Sequence, residues 1–352
     1  MEFRFPVEVL AVKDKDAAAL RRAASGGAFS VLARPIIAAG GIVFAARMDE
    51  EGTVRHSAAR TLGDLPSFQG SAYVQSDLNG VFNQIAASVR ADIPTLFVGT
   101  PCQCASVVSY LKLNKAIRRL EDCENLFLCD LICHGAPNNA LFKAHQEWLS
   151  RKVGADDGIH SFRFRSKNKG WGLYYYYYYY KDGKKIEVCE PGECDPYYSS
   201  FLRGESYREC CYRCPFSRPE RLTDFTIGDY WGIESAHPGF FDVAGVSVVL
   251  LNSEKGRQYF YSKAACGCKY LVSDFESAAR SNHNLKKPTV RPSSRDHFLA
   301  SLNNRMRDDD MDALFEHDLH PKKSIKSFIK SVVPLSFITF LKRVKGGLSF
   351  GL

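Results

Sequence analysis

Four cysteines in three short motifs are the residues of this sequence whose types best fit a metal site. They are Cys102 in GTPCQ, Cys133 in DLICHG, and Cys211 and Cys214 in CYRC. Thiolates bind both iron–sulfur clusters and structural zinc, and four is the usual number in each. Spacing alone does not distinguish the two. A fold that gathers these thiolates points to electron transfer rather than hydrolysis.

Two of these cysteines come shortly after apolar segments that read as buried strands. The segments are 95–98 and 126–132, and a helix is predicted to begin after the first of them. Open α/β sheets bind ligands beyond the carboxyl ends of their strands. Cys102 and Cys133 are therefore expected at one edge of a sheet, with Cys211 and Cys214 brought to it by a Pro-terminated turn.

Glycine-containing turns are the second candidate feature. Ser25, Gly26 and Gly27 precede a predicted helix, where free backbone N–H groups suit a phosphate, although a glycine turn between helices is the commoner explanation. Thr100 lies in a comparable turn. The segment 226–232, TIGDYWG, could frame a flavin ring or its ribityl chain, or form a packed turn. Rossmann, P-loop, His-Glu-x-x-His and Gly-x-Ser-x-Gly motifs are absent from the sequence.

The charge is concentrated at one end of the chain. The net charge is +8, and residues 320–352 contribute six lysines and one arginine with no acid, which leaves about +1 for the rest. This distribution weakens a nucleic-acid function for the main body. The tail has apolar and basic helical faces, so it could lie on an anionic membrane or dock on protein. With neither a membrane span nor a signal segment in the sequence, we expect a cytoplasmic protein, peripheral to the inner face of the membrane if the tail binds there.

Strands alternating with helices predict an α/β fold of mixed α+β character. The expected organisation is an N-terminal α/β part (1–152), a β-rich part with the CYRC motif (153–285), a linker (286–320) and the basic amphipathic helical tail (321–352). The β-rich part includes a central antiparallel insertion. Its seven consecutive tyrosines, 174–180, predict a strand with aromatic faces on both sides; a stacking platform for a flat cofactor is the alternative.

Together these motifs resemble the coenzyme F(420) hydrogenase/dehydrogenase beta-subunit family, in its bacterial form often encoded near polysaccharide genes. The matching stretches occur in the family's order over roughly residues 20–260, and they are ASGGAFS, GSAYVQSD, GTPCQ, DLICHG, FRFR with KGW, CYRC and IGDYWG.

The resemblance implies an oxidoreductase that binds FAD and a [4Fe–4S] cluster and passes electrons from a reduced deazaflavin or other carrier to a partner protein. Cys102, Cys133, Cys211 and Cys214 would ligate the cluster. Ser25, Gly26, Gly27, Thr100 and Asp229 would contact FAD, and Lys169 and Trp171 would line the site. No cysteine precedes Cys102, so a second cluster is not expected. Coenzyme F(420) as the substrate is an expectation of the family rather than of these residues.

Two other functions fit the residues. One is a zinc-stabilised, non-enzymatic interaction protein recruited to membrane polysaccharide machinery. The other is a flavin reductase that acts directly on a sugar-related substrate. Flavin absorbance excludes the first, and activity that survives loss of a cluster ligand favours the second.

Overall fold

A computed structural model describes residues 3–49 and 52–319 of the chain. The predicted basic tail, 321–352, lies outside these residues. Within them, no helix combines the length and the hydropathy that a bilayer crossing requires. All twelve cysteines lie in the described part and carry free thiols.

Eleven strands of the described chain form two sheets. In chain order they are β1 (Glu8–Asp14), β2 (Ile42–Met48), β3 (Val54–Ala59), β4 (Thr95–Gly99), β5 (Leu126–Leu131), β6 (His160–Arg163), β7 (Tyr174–Lys181), β8 (Lys184–Pro191), β9 (Phe225–Asp229), β10 (Ser247–Leu251) and β11 (Cys268–Ser273). The large sheet has the order β11-β1-β10-β9-β5-β4-β2-β3, and β6-β7-β8 form the small one. The fold is α/β, as the sequence predicts.

Four adjacent strands at the centre of the large sheet are parallel, namely β2, β4, β5 and β9. The register pairs Gly99 with Asp130 and Leu131 with Ile227, so these strands end side by side. Strands β3, β10, β1 and β11 extend the sheet through antiparallel pairings. Motifs that follow β4, β5 and β9 consequently meet at one edge.

The helices cover both faces of the large sheet and the inner face of the small one. They are α1 (Ala17–Arg22), α2 (Ala28–Ala38), α3 (Val81–Arg90), α4 (Pro101–Leu113), α5 (Asn139–Val153), α6 (Pro196–Leu202), α7 (Ile233–Ala236), α8 (Glu254–Tyr259), α9 (Phe275–Ala279), α10 (Arg295–Arg307) and α11 (Met311–Ala313). Short 3₁₀ segments connect several of them, including Glu209–Arg213. The segment expected as a linker, 286–320, thus contains α10 and α11.

Successive side chains of the central strands point to opposite faces of the large sheet, and each face packs against its own layer of helices. Val98 and Cys129 pack on the face that α2 covers, whereas Phe97 and Leu128 pack on the opposite face with α3 and α4. These strands are buried on both faces, as parallel strands between helical layers normally are. The strand ends are therefore held rigidly from both sides.

The tyrosine run forms β7, the middle strand of the small sheet. Tyr175 and Tyr177 are buried and stack on Phe162, within an aromatic core that includes Trp148 of α5. This confirms the antiparallel strand. The run does not line the open cleft described below.

Candidate redox site

Cys102 lies at the edge of the sheet, in the first turn of α4, which begins directly after β4. Pro101 occupies the first turn of α4, and Gln103 Oε1 accepts a hydrogen bond from the Thr100 backbone N–H at 2.9 Å. Thr100 Oγ1 lies 3.2 Å from Cys102 Sγ. The cap fixes the first turn of α4, and Cys102 is exposed there.

Cys133 reaches the same edge from the end of β5, and Cys211 and Cys214 reach it from the 3₁₀ segment Glu209–Arg213 and the residue after it. All four candidate cysteines line one cavity of about 60 Å³, together with the exposed Cys210. The structure thus gathers the thiols that the sequence singles out. Cys210, directly before the CYRC motif, is a fifth thiol that the motif reading omits.

The four thiols share this cavity without converging on one point. Among the described residues, no group of three or more histidine, cysteine, aspartate or glutamate side chains is arranged to hold a single metal ion. A cubane cluster is larger than one ion and takes one thiolate on each of four irons. The donor set fits a cluster in its chemistry and in its number of ligands.

Desolvation favours the protonated thiols of Cys133, Cys211 and Cys214, because it raises the pKa of each. Desolvation raises the pKa of Cys133 well above its ordinary value, and the neighbouring thiols of Cys102 and Cys211 raise it further. Desolvation likewise raises the pKa of Cys211 to about 11. A cationic metal core would reverse this preference, because metal ligation requires thiolates and releases their protons.

An open cleft of about 240 Å³ adjoins the cysteine cavity. The two share a wall, whose residues line both: Gln75, Thr100, Cys133, His134, Gly135 and Ala136. The pKa of His134 is lowered, chiefly because the surrounding protein desolvates its imidazolium form. Any group bound in the cleft would therefore lie one short chain segment away from the cysteines.

The turn before α2 forms another part of the cleft wall. Ser25 and Gly27 line it, as do the first residues of α2, whose N–H groups lack helical partners at this end. Gly27 adopts φ +84° as the N-cap residue, a conformation that favours glycine. Gly26 does not line the cleft, because it packs beneath it, where a Cβ would lie 2.2 Å from the Val12 carbonyl oxygen.

Lys167 braces the same turn. Its ammonium group donates to the backbone carbonyls of Leu20 and Ser25 at 2.5 and 2.6 Å. Burial, reinforced by the nearby Arg165, lowers the pKa of Lys167 to about 7. The sequence motif KGW drew attention to Lys169 instead, which is not among the residues of the cleft wall.

Asp229, at the end of β9, organises the part of the cleft wall beside the turn before α2. Its carboxylate oxygens accept hydrogen bonds from both terminal nitrogens of Arg165 at 2.6 and 2.7 Å and from Trp171 Nε1 at 2.7 Å. Burial acts to raise the pKa of Asp229, but the Arg165 guanidinium outweighs it and holds that pKa below its ordinary value. The carboxylate is a buried ion-pair partner that also borders the cleft.

Trp231 is the aromatic side chain that this network presents to the cleft. Its ring stacks on Trp171 with centroids 4.9 Å apart and planes within 4°, and the Arg165 guanidinium carbon lies 5.3 Å from the ring centroid. Trp171 is not part of the cleft wall and supports Trp231 from behind. The sequence reading missed Arg165 and Trp231 as site residues, although both lie in the FRFR and IGDYWG motifs.

A buried hydrogen-bond chain fixes the far side of the cleft. His56 Nε2 donates to the Val98 carbonyl at 3.0 Å, which leaves Nδ1 to accept from Ser76 Oγ at 2.9 Å. Gln103 Nε2 donates to the same Ser76 oxygen at 2.8 Å. Desolvation lowers the pKa of His56 to about 4, so the ring is neutral. Nothing in the local sequence indicated this chain, because its members come from three separate segments.

Comparison with known proteins gives a family match and a structural neighbour. The family model for the C terminus of the "Coenzyme F420 hydrogenase/dehydrogenase, beta subunit" matches residues 94–271, just over half of the chain. No curated protein matches the sequence. A solved chain from the F420-reducing [NiFe] hydrogenase complex of Methanosarcina barkeri, studied by xenon derivatization, aligns with TM-score 0.49 and 17% identity, over 91% of this chain and 98% of that one.

Proposed function

Because the chain belongs to the coenzyme F(420) hydrogenase/dehydrogenase beta-subunit family, we propose that it is a redox subunit that binds FAD in the open cleft and a [4Fe–4S] cluster in the cysteine cavity. The observation that carries this proposal is the shared wall, in which residues 133–136 border both sites. FAD supplies the exchange between two-electron hydride chemistry and single-electron transfer to a cluster. Adjacent sites are what that exchange requires.

The cluster would be held by Cys102, Cys133, Cys211 and Cys214. These cysteines come from the ends of β4 and β5 and from the CYRC turn, so a rigid sheet edge sets two ligands and a tight turn sets the other two. Cys133, Cys211 and Cys214 are half-buried, whereas Cys102 is exposed. Solvent exposure and the surroundings of the ligands tune a cluster's potential.

The cleft residues would bind and orient the flavin. Ser25, Gly27 and the N-terminal turn of α2 suit its phosphates, since unpaired N–H groups and the helix dipole favour anions. Thr100 and Asp229 border the same space. Gly26, Lys169 and Trp171 would act from behind the wall. The electron donor would be a reduced deazaflavin or another soluble hydride carrier, and the acceptor a partner protein.

An anaerobic purification followed by an absorption spectrum and by iron and flavin assays tests this proposal. We expect bound flavin and about four irons per chain, the content of one cubane cluster. Zinc without flavin would contradict the proposal and favour the non-enzymatic interaction protein. Flavin without iron would also contradict it and favour direct reduction of a substrate.

A cysteine substitution makes the test specific. Replacing Cys214 with serine removes one thiolate from the cavity, so we expect iron content to fall by at least half while flavin is retained. Cys266 is an exposed cysteine outside the cavity, and Cys266→Ser is the matched control that should keep full iron. Equal iron in both variants would contradict the assignment of Cys214.

A further inference from the structure

Arg221 is a buried arginine at the cysteine cavity. It lies between the CYRC turn and β9, and its backbone pairs with Arg4 through hydrogen bonds of 2.8 and 2.7 Å. Its side chain is 1% exposed, and it lines the cavity with the four candidate cysteines. The backbone pairing holds the main chain from which the Arg221 side chain extends.

The guanidinium of Arg221 has more donors than the described residues satisfy. Nη1 lies 3.4 Å from the Phe216 carbonyl oxygen and 3.6 Å from Asp130 Oδ2. Nε and Nη2 are buried and have no hydrogen-bond partner in the described part of the chain. The buried ion pair with Asp130 balances the charge of Arg221 but does not satisfy Nε and Nη2. Buried donors without hydrogen bonds are unfavourable, so these two nitrogens are expected to have an acceptor.

Arg165 shows what a satisfied buried arginine looks like in this protein. Its Nε donates to the Gly172 carbonyl, and its terminal nitrogens donate to Tyr73, Ala24 and both oxygens of Asp229. Arg221, with equal burial, has two nitrogens without such partners. Arg221 lines the cysteine cavity, and Arg165 does not.

We propose that Arg221 donates hydrogen bonds through Nε and Nη2 to the sulfurs of the anionic cluster held in this cavity and thereby raises its reduction potential. The inference rests on the proposed function, because it requires the cluster. A cluster with four thiolate ligands is anionic, and one-electron reduction adds a further negative charge. A guanidinium beside it stabilises the reduced form more than the oxidised form.

Redox titration of the full-length, iron-loaded protein, followed by electron paramagnetic resonance, tests this role. Arg221→Gln removes the charge, so we expect a midpoint potential more negative than that of the wild type; Arg221→Lys keeps the charge and should lie between the two. The matched control is Arg34→Gln. Arg34 is a half-buried arginine of α2 that pairs with Asp14 at 2.7 Å, and it lines neither the cavity nor the cleft.

The control should leave the midpoint unchanged. An iron-loaded Arg221→Gln protein with the wild-type midpoint would overturn the inference, as would an equal shift in the Arg34→Gln variant.

A measurement on protein with Arg221 intact covers the case in which Arg221 variants do not fold. In protein labelled with ¹⁵N-arginine, pulsed electron paramagnetic resonance of the reduced cluster should show hyperfine coupling to an arginine ¹⁵N nucleus. Arg208 is the other arginine lining the cavity, exposed and donating to Gln75 at 3.2 Å, so the coupling must persist in an Arg208→Lys variant. Iron-loaded protein without the coupling overturns the Arg221 inference alone. Protein that takes up no iron overturns the proposed function and the inference with it.

Discussion

Individual buried polar side chains, rather than the cysteines alone, set the properties of this site. His56 is neutral because its Nε2 proton is committed to the Val98 carbonyl and burial disfavours the charged ring. It connects through Ser76 to Gln103, whose side chain also caps the helix that carries Cys102. Protonation of His56 would break its hydrogen bond from Ser76, at the start of this connection.

The lowered pKa of His56 predicts a loss of stability in acid. The unfolded chain binds a proton near pH 6.5, whereas the folded ring does so only near pH 4. Stability from this group is thus complete above pH 6.5 and falls as the pH drops to 4, by about 3 kcal/mol in total. His56→Gln can keep both hydrogen bonds without titrating, so its unfolding free energy should depend less on pH over this range.

Chemical denaturation at a series of pH values measures this effect. His160→Gln, at a histidine outside the cleft, is the control and should retain the pH dependence of the wild type. The assignment to His56 is wrong if His56→Gln shows the same slope as the wild-type protein.

At the scale of elements, the close approach of the turn before α2 to the large sheet positions one wall of the cleft. Gly26 rests on β1 and β10, where a Cβ would lie 2.2 Å from the Val12 carbonyl oxygen and 2.3 Å from the Ser247 backbone nitrogen. The sequence reading assigned Gly26 to phosphate contact, and its packing offers a second reason for glycine. Backbone atoms on both sides leave little room for adjustment.

Gly26→Ala is therefore expected to destabilise the protein, by about 3 kcal/mol or more, because overpacking against backbone is not relieved by side-chain rotation. Gly239→Ala is the matched control, since a Cβ there meets no atom within 4 Å and no unusual backbone angle is involved. Thermal unfolding of the two variants compares them directly. Equal melting temperatures of the two variants would contradict this prediction and show that the backbone of β1 and β10 moves to accept the added Cβ.

The elements that could be predicted from the sequence are those with a local sequence pattern. The strands that carry Cys102 and Cys133 follow from short apolar runs, and the tyrosine strand from its hairpin turn. Strand β11 and the hydrogen-bond partners of Asp229 could not be predicted from the sequence, because they depend on contacts between distant segments. Cys268 begins a strand that pairs with β1, and Arg165 reaches Asp229 from the turn after β6. The sequence predicted that the four cysteines come together, but it did not predict Arg221 beside them, because Arg221 belongs to no recognisable motif.

At the scale of the whole molecule, strands from before and after residue 152 share one sheet, with β9 beside β5 and β10 beside β9. The division of the chain at residue 152 remains a prediction. The role of the basic segment 321–352 is also still a prediction, because these residues lie outside the described structure. Their composition is the basis for proposing contact with an anionic membrane surface.

Deleting residues 321–352 should abolish binding to anionic vesicles, because six lysines and one arginine are removed with no acid. Cosedimentation with phosphatidylserine vesicles measures this, and neutral vesicles control for non-specific association. Iron and flavin contents should be unchanged by the deletion. Undiminished sedimentation of the shortened protein would exclude the tail as the membrane contact.

The wide separation of the cavity's ligands along the chain has a consequence for biosynthesis. Cys102 and Cys133 follow strands of the first half of the chain, whereas Cys214 precedes β9, which completes the row of parallel strands. A growing polypeptide cannot present all four thiols until that later stretch has left the ribosome. Insertion of the proposed cluster would therefore have to wait until Cys214 has been made, when β1 to β8 have already been synthesised.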